Sequence, residues 1–175
     1  SVYVPTVTSA EWTSFYTNPP SGVTAGQCTD IVLIKNAQLP SSRHDLSCVT
    51  NPATSKIYCF GGENGSGQLL SQIVEYDPSL DSMVVKSAVL PSARRGLSCA
   101  LNPASNKIYC FGGVSASNWL SQIVEYDPAT NVVVTKSATL PSGRQSHSCV
   151  TNPLTNRIYC FGGYGGSNLS QIVEY

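Results

Sequence analysis

The sequence predicts an all-β chain built from repeated four-stranded antiparallel units, and three observations carry that reading. The first is the repeat itself. LPSSRHDLSCVTNPATSKIYCFGG from Leu39 returns as LPSARRGLSCALNPASNKIYCFGG from Leu90 and as LPSGRQSHSCVTNPLTNRIYCFGG from Leu140. A period of about 50 residues marks one supersecondary unit copied along a chain. The second is the pattern within each unit: short apolar runs bounded by Gly, Pro, Asn and Asp, with no helical spacing. The third is the cysteines, six of which fall in pairs eleven apart, one on each side of an Asn-Pro turn.

The elements follow in order. Residues 1–29 are rich in Ser, Thr and Pro with Trp12, Phe15 and Tyr16 interspersed, and read as an N-terminal arm, either a flexible leader or, as the aromatics favour, a segment that docks on another subunit. The blade array spans residues 30–175, with repeats starting at 39, 90 and 140. In the first unit the expected strands are Leu46–Thr50, Ile57–Phe60, Gln72–Tyr76 and Met83–Lys86. Asn-Pro-Ala-Thr, Asn-Pro-Ala-Ser and Asn-Pro-Leu-Thr separate the first two runs of each unit and predict hairpin turns. After each Gly-Gly comes a variable loop (ENGSGQ, VSASNW, YGGSN), then LSQIVEY. Four antiparallel strands per unit make a propeller blade, and blades pack face to face around an axis.

Composition removes several functions. Ten basic and ten acidic side chains cancel, with no basic run, which argues against a phosphate-backbone binder and hence against nucleic acid. No stretch approaches the roughly 18 apolar residues of a membrane span. A hydrophobic content of 41% excludes compositional disorder. With no initiator Met and no secretory leader pattern, the chain reads as a mature or excised product.

The paired glycines Gly61-Gly62, Gly112-Gly113 and Gly162-Gly163, the Tyr76-Asp77 and Tyr126-Asp127 pairs and the Pro-x-x-Arg starts at Arg43, Arg94 and Arg144 resemble the kelch-repeat β-propeller family from about Ile31 to Tyr175. One departure stands out. The Trp that kelch units usually carry on the last strand is missing, and Val84, Val85, Val133 and Val134 occupy that region. The resemblance implies a divergent propeller. Kelch-like folds include copper oxidases, but no cluster of Tyr, His and Cys ligands is visible here.

The cysteines give a register argument. If the Asn-Pro turn places Thr50 opposite Ile57, it places Cys48 opposite Cys59, and likewise Cys99 opposite Cys110 and Cys149 opposite Cys160. Directly opposed residues of a non-hydrogen-bonded pair are close enough for a disulfide. Three intrablade staples are predicted. The rival is reduced cysteines packing as small hydrophobes. Metal binding is disfavoured by the absence of Cys-x-x-Cys or His-paired spacing. Disulfides point to an extracellular location, secreted or at a cell surface. Cys28 is left over, either unpaired or available for an intermolecular bond.

The two ends of the chain are complementary. The third unit stops at Glu174-Tyr175 after its third strand, whereas DIVLIKNAQLP from Asp30 matches the fourth strands of the other units, with Lys35, Lys86 and Lys136 in register. The third blade is therefore expected to be completed by a strand from the other chain end or from a neighbouring copy. Propellers typically have about 4–8 blades, so three do not readily close alone. Two copies closing a six-bladed ring, copies adding into a filament, and a chain that is itself a fragment or repeat unit of a longer one all fit.

Little in the sequence supports chemistry. His44 and His147 occupy non-equivalent positions, and Asp45 beside His44 assembles no triad. No catalytic, cofactor-binding or metal-binding residue is assigned, and no cofactor is expected. Arg43, Arg94 and Arg144 recur in every unit, as do Glu75, Glu125 and Glu174. Arg–Glu or Arg–carbonyl contacts between blades are the structural reading. A ring of guanidinium groups binding anions or acidic sugars is the functional one. Trp119 and Tyr164, in variable loops, are candidates to stack on sugar faces, although apolar loop packing accounts for them equally. Asn64-Gly65-Ser66 and Asn168-Leu169-Ser170 are glycosylation sequons. Taken together, these features read as a non-catalytic extracellular structural or adhesive protein that joins its own copies. A carbohydrate-binding propeller assembled from partial-ring subunits is the alternative.

Overall fold

A computed structural model describes residues 32–175, and Lys35–Tyr175 folds as one unit. Thirteen strands and no helix occur among the described residues. The first blade comprises β2 (Ser47–Asn51), β3 (Lys56–Phe60), β5 (Gln72–Asp77) and β6 (Ser82–Val89), paired in that order. The second repeats it with β7 (Ser98–Asn102), β8 (Lys107–Phe111), β9 (Gln122–Asp127) and β10 (Val132–Thr139). The third has three strands, β11 (Ser148–Asn152), β12 (Arg157–Phe161) and β13 (Ile172–Glu174). A short ladder that the sequence reading did not foresee joins β1 (Arg43–His44) to β4 (Glu63–Asn64).

The Asn-Pro turns are closed by the asparagine itself. Asn51 Oδ1 accepts the Ala53 N–H at 3.0 Å, and Asn102 and Asn152 repeat this with Ala104 and Leu154. The proline cannot donate to the ladder, so the side chain supplies the turn's hydrogen bond. This turn sets the hairpin register. Cys48 faces Cys59, Cys99 faces Cys110 and Cys149 faces Cys160, and each pair is joined as a disulfide. Cys28 lies outside the described residues, as do the arm of residues 1–29 and its aromatic cluster.

The core lies between blades, not within them. One cluster sets Tyr58, Phe60 and Ile73 of the first blade against Leu97, Cys99, Ile108, Val124 and Tyr126 of the second. Another sets Ala100, Tyr109, Phe111 and Ile123 against Ile158, Cys160, Val173 and Tyr175. The same aromatic wedge is used twice: Phe60 meets Tyr126 edge-on at 5.7 Å, and Phe111 meets Tyr175 at 5.6 Å. Gly61 and Gly112 permit the close approach. Both have positive φ, and a Cβ on either would sit 2.5 or 2.6 Å from the carbonyl oxygen of Arg94 or Arg144 in the next blade.

Among the described residues, the segment after Asp30 forms no strand, and β13 pairs only with β12. The end of that segment is nonetheless placed as a fourth-strand end would be. Asn36 and Ala37 donate their amides to Asp81 at 2.9 and 3.4 Å, much as Asn131, at the equivalent turn of the second blade, donates to Ser87 on the first blade's fourth strand.

Replacing Cys99 and Cys110 together by Ala is expected to lower stability by about 2–3 kcal/mol, the chain-entropy value for a loop this short. Urea denaturation of the oxidised protein measures it. An unchanged midpoint would mean the staple constrains nothing the turn does not already hold.

Candidate functional site

Each blade has two unlike ends. The Asn-Pro and Asp-Pro turns close one, while the Gly-Gly loops and the Pro-x-x-Arg segments share the other. At that second end the incoming chain pairs with the loop of its own blade: Arg95 bridges to Val114 and Gln145 to Tyr164. The loops then fold back, with Val114 bridging Trp119 and Tyr164 bridging Asn168. Trp119 and Tyr164, from different blades, are thereby brought edge to face at 5.9 Å, both still about 40% exposed. Beside them an open cleft of about 290 Å³ is lined by Arg95, Val114, Asn118, Trp119 and Gln145.

Next to the cleft lies a charged group that sequence reasoning missed. Arg95 Nη1 sits 2.9 Å from Glu63 and 3.8 Å from Asp45, with His44 4.0 Å from Asp45. Arg95 matches His44 and Gln145 in the other repeats, so no repeat pattern marked it. Its signal was that very variation, at a position next to an invariant Arg.

The repeated arginines do not reach the repeated glutamates. Arg94 is 1% exposed; its Nη1 donates to Gly112 O at 3.2 Å and its Nη2 to Gln122 Oε1 at 2.8 Å. Arg144 is 0% exposed and does the same with Gly162 O and Gln171. Arg43 holds Gln72 Oε1 at 2.9 Å. These contacts lie within a blade, which corrects the expected inter-blade pairing. They also remove the guanidinium ring as an anion site, because Arg94 and Arg144 are buried and fully engaged. Burial lowers the Arg94 pKa to about 10.

The glutamates instead tie three strands of a blade together. Glu75 accepts from Lys56 at 2.9 Å and Lys86 at 2.8 Å. Glu125 accepts from Lys107 at 2.6 Å and Lys136 at 2.9 Å. Burial pushes the Glu125 carboxyl up, but the hydrogen bonds from Lys107 and Lys136 outweigh it and hold the pKa at about 2. In the third blade Glu174 pairs with Arg157 at 3.5 Å, half exposed, beside the Tyr159 hydroxyl.

His147 is 7% exposed, and neither ring nitrogen has a hydrogen-bond partner. Burial first, then the nearby Arg144 charge, lowers its pKa to about 4. Its nitrogens lie with the sulfurs of Cys149 and Cys160 inside 4.8 Å, but those sulfurs are bonded to each other. His44 is exposed. Of the sequon residues, Asn168 is exposed, whereas Asn64 is half-buried and its Oδ1 accepts from Ser66 and Gln68 within the loop.

Compared with known families, the chain matches the family model described as the KLHDC2/KLHL20/DRC7 Kelch-repeats domain over residues 2–175. No curated protein matches it.

Two outcomes follow from the buried titrating groups. A carboxylate held below its unfolded value of 4.5 stabilises the fold above that pH, and the effect fades as pH falls towards 2. Glu125→Gln is therefore expected to cost roughly 2 kcal/mol at neutral pH and little in strong acid. For a histidine lowered from 6.5 to about 4, the unfolded chain binds the extra proton, so stability falls as pH drops through that interval. His147→Leu, the residue of the other two blades, should flatten that part of the curve and raise stability by roughly 1–3 kcal/mol by removing unsatisfied groups. Urea midpoints at pH 7 and pH 5 decide the His147 prediction, and midpoints at pH 7 and about pH 2 decide the Glu125 one.

Proposed function

The chain belongs to the kelch-repeat family, and from that premise we propose that it acts outside the cell as a non-catalytic, structural or adhesive module whose copies join by completing one another's blades. The coarse part of this reading, a propeller module for protein interaction, is what a kelch-repeat domain implies. The observation that carries the finer part is the open edge of β13 together with the placement of Asn36 and Ala37 against Asp81. An unpaired strand edge templates association, and a segment already aligned as a fourth-strand end is the matching donor.

Three disulfides are compatible with an extracellular setting, and no helix of the described residues is long and apolar enough to cross a membrane. Exposure of Asn168 supports glycosylation there. The non-catalytic reading is supported by what a kelch-repeat domain typically implies and by the use of the repeated Arg94 and Arg144 as buried donors to their own blades.

A second reading, carbohydrate binding, is favoured by one observation. Trp119 and Tyr164 come together beside a polar cleft only because two blades are adjacent. Aromatic faces next to Arg and Gln side chains are the chemistry a sugar ring needs.

Association through β13 predicts that Glu174→Pro, which removes an N–H from the side of that strand facing away from β12, reduces oligomer formation without abolishing the fold; light scattering with circular dichroism measures it. Persistence of oligomers at unchanged affinity would reject blade completion. For the second reading, a glycan array should show binding that Trp119→Ala removes.

A further inference from the structure

One blade carries a histidine where the other two carry a leucine, and that histidine meets sulfur. His147 occupies the position of Leu46 and Leu97, two residues before the first cysteine of its hairpin. It directly precedes β11, whose Cys149 faces Cys160 across the ladder. A ring nitrogen of His147 and the two Sγ atoms all lie within 4.8 Å of one another. The histidine is 7% exposed, and among the described residues neither of its nitrogens has a hydrogen-bond partner.

The ring is held between the second and third blades. It lies against Gly112, where an added Cβ would come 3.0 Å from its Cε1. Gly163 makes room on its own blade, where an added Cβ would come 2.9 Å from the histidine Cβ. The Phe111 carbonyl of the second blade stands beside the ring without closing a hydrogen bond. Cys149 N donates to Ser98 Oγ at 2.8 Å, which ties the start of β11 to the second blade. Cys160 is 1% exposed, whereas Cys149 is half-buried, so the sulfur pair is approached from the Cys149 side. An unpartnered imidazole costs the fold a desolvation that Leu97 in the preceding blade does not. Packing therefore gives no account of His147.

We propose that this hairpin is a redox-gated metal site: once the Cys149–Cys160 bond is reduced, the two thiolates and His147 hold one thiophilic divalent cation of the Zn2+ kind. The reductant is a thiol. Two R–SH give up two electrons and two protons; the Sγ–Sγ bond breaks, R–S–S–R forms, and Cys149 and Cys160 become thiols. On binding the ion each thiol releases its proton to solvent, and the imidazole gives a lone pair that no donor among the described residues engages. Thiolate and imidazole are the ligands such an ion takes, and three of them leave a fourth position for water. Two metal–sulfur bonds of ~2.3 Å at a tetrahedral angle hold the sulfurs ~3.8 Å apart, which no bonded pair reaches, so disulfide and ion exclude each other. Two thiolates cancel the ion's charge, and the neighbouring Arg144 guanidinium then does not oppose it. The first and second blades have the same cysteine pairs but Leu46 and Leu97 in place of the histidine, and so lack the third ligand. Nothing in this site depends on blade completion.

The test uses the full chain, reduced with a water-soluble phosphine, which ends as its oxide and offers the metal no thiolate. Competition with a chelator should show a single tightest Zn2+ site. Co2+ in its place should give tetrahedral ligand-field bands with thiolate charge transfer. His147→Leu should weaken that site at least ~10-fold, since losing even a group that only orients a ligand costs about that much. Cys149→Ser with Cys160→Ser should remove it, whereas Cys48→Ser with Cys59→Ser should leave it. The oxidised chain should show no such site. Where reduction unfolds the chain, refolding is the readout: Zn2+ should restore the β-sheet circular dichroism of the parent and not of His147→Leu. Equal Zn2+ affinity in the parent and His147→Leu, tight binding by the oxidised chain, or a response of both reduced chains alike would overturn the site.

Discussion

No blade in this protein buries its own faces, and that constraint organises everything else. A four-stranded sheet with Tyr109, Phe111 and Ile123 on one side and Cys110, Val124 and Tyr126 on the other is apolar on both. It is stable only with a neighbour on each side. The Phe–Tyr wedge supplies the shape match, and the glycine before each loop lets the next blade's carbonyl approach. Stability in such an array is a sum of unit terms and nearest-neighbour terms. The disulfide contributes to the first kind, because it cross-links one hairpin and touches the blade boundary only with its buried surface.

Charge is used within blades and apolar area between them. The Lys–Glu–Lys clamps join the second, third and fourth strands at the level of Glu75 and Glu125. Two cations on one carboxylate satisfy its lone pairs, which is why a glutamate with a side chain only 9% exposed stays ionised. The same clamp is incomplete at Glu174.

The strands, turns and cysteine pairs were legible because each is a local consequence of its own residues: Asn-Pro for the turn, alternation for the strand, spacing for the register. The role of the arginines was not. Arg94 reaches Gly112 O because the Gly-Gly turn aims a carbonyl back across the blade, and no residue pattern announces where a carbonyl points. The meeting of Trp119 with Tyr164 was likewise invisible, since it depends on how far one blade is rotated from the next. Asn64 is half-buried for a local reason, the asparagine being used to hold its own loop.

What varies among the repeats is not scattered. The Asn-Pro end is nearly the same in all three blades, whereas the loop end carries His44, Arg95 and Gln145 at one equivalent position and Glu63, Val114 and Tyr164 at another. Residues repeated in every unit, such as Arg94 and Arg144, prove to be buried hydrogen-bond donors to their own blade. Residues that break the repeat line a cleft or meet across blades at its rim. His147 is the exception that clarifies the rule. It breaks the repeat inside the core, where Leu97 packs in the blade before it, and there it finds no partner for either nitrogen. Variation at the loop end adds polar groups that find partners or solvent, while variation in the core adds an unsatisfied one. Side-chain variety in this chain therefore gathers at the loop end of the blades, and the rest of each repeat is committed to holding its neighbours.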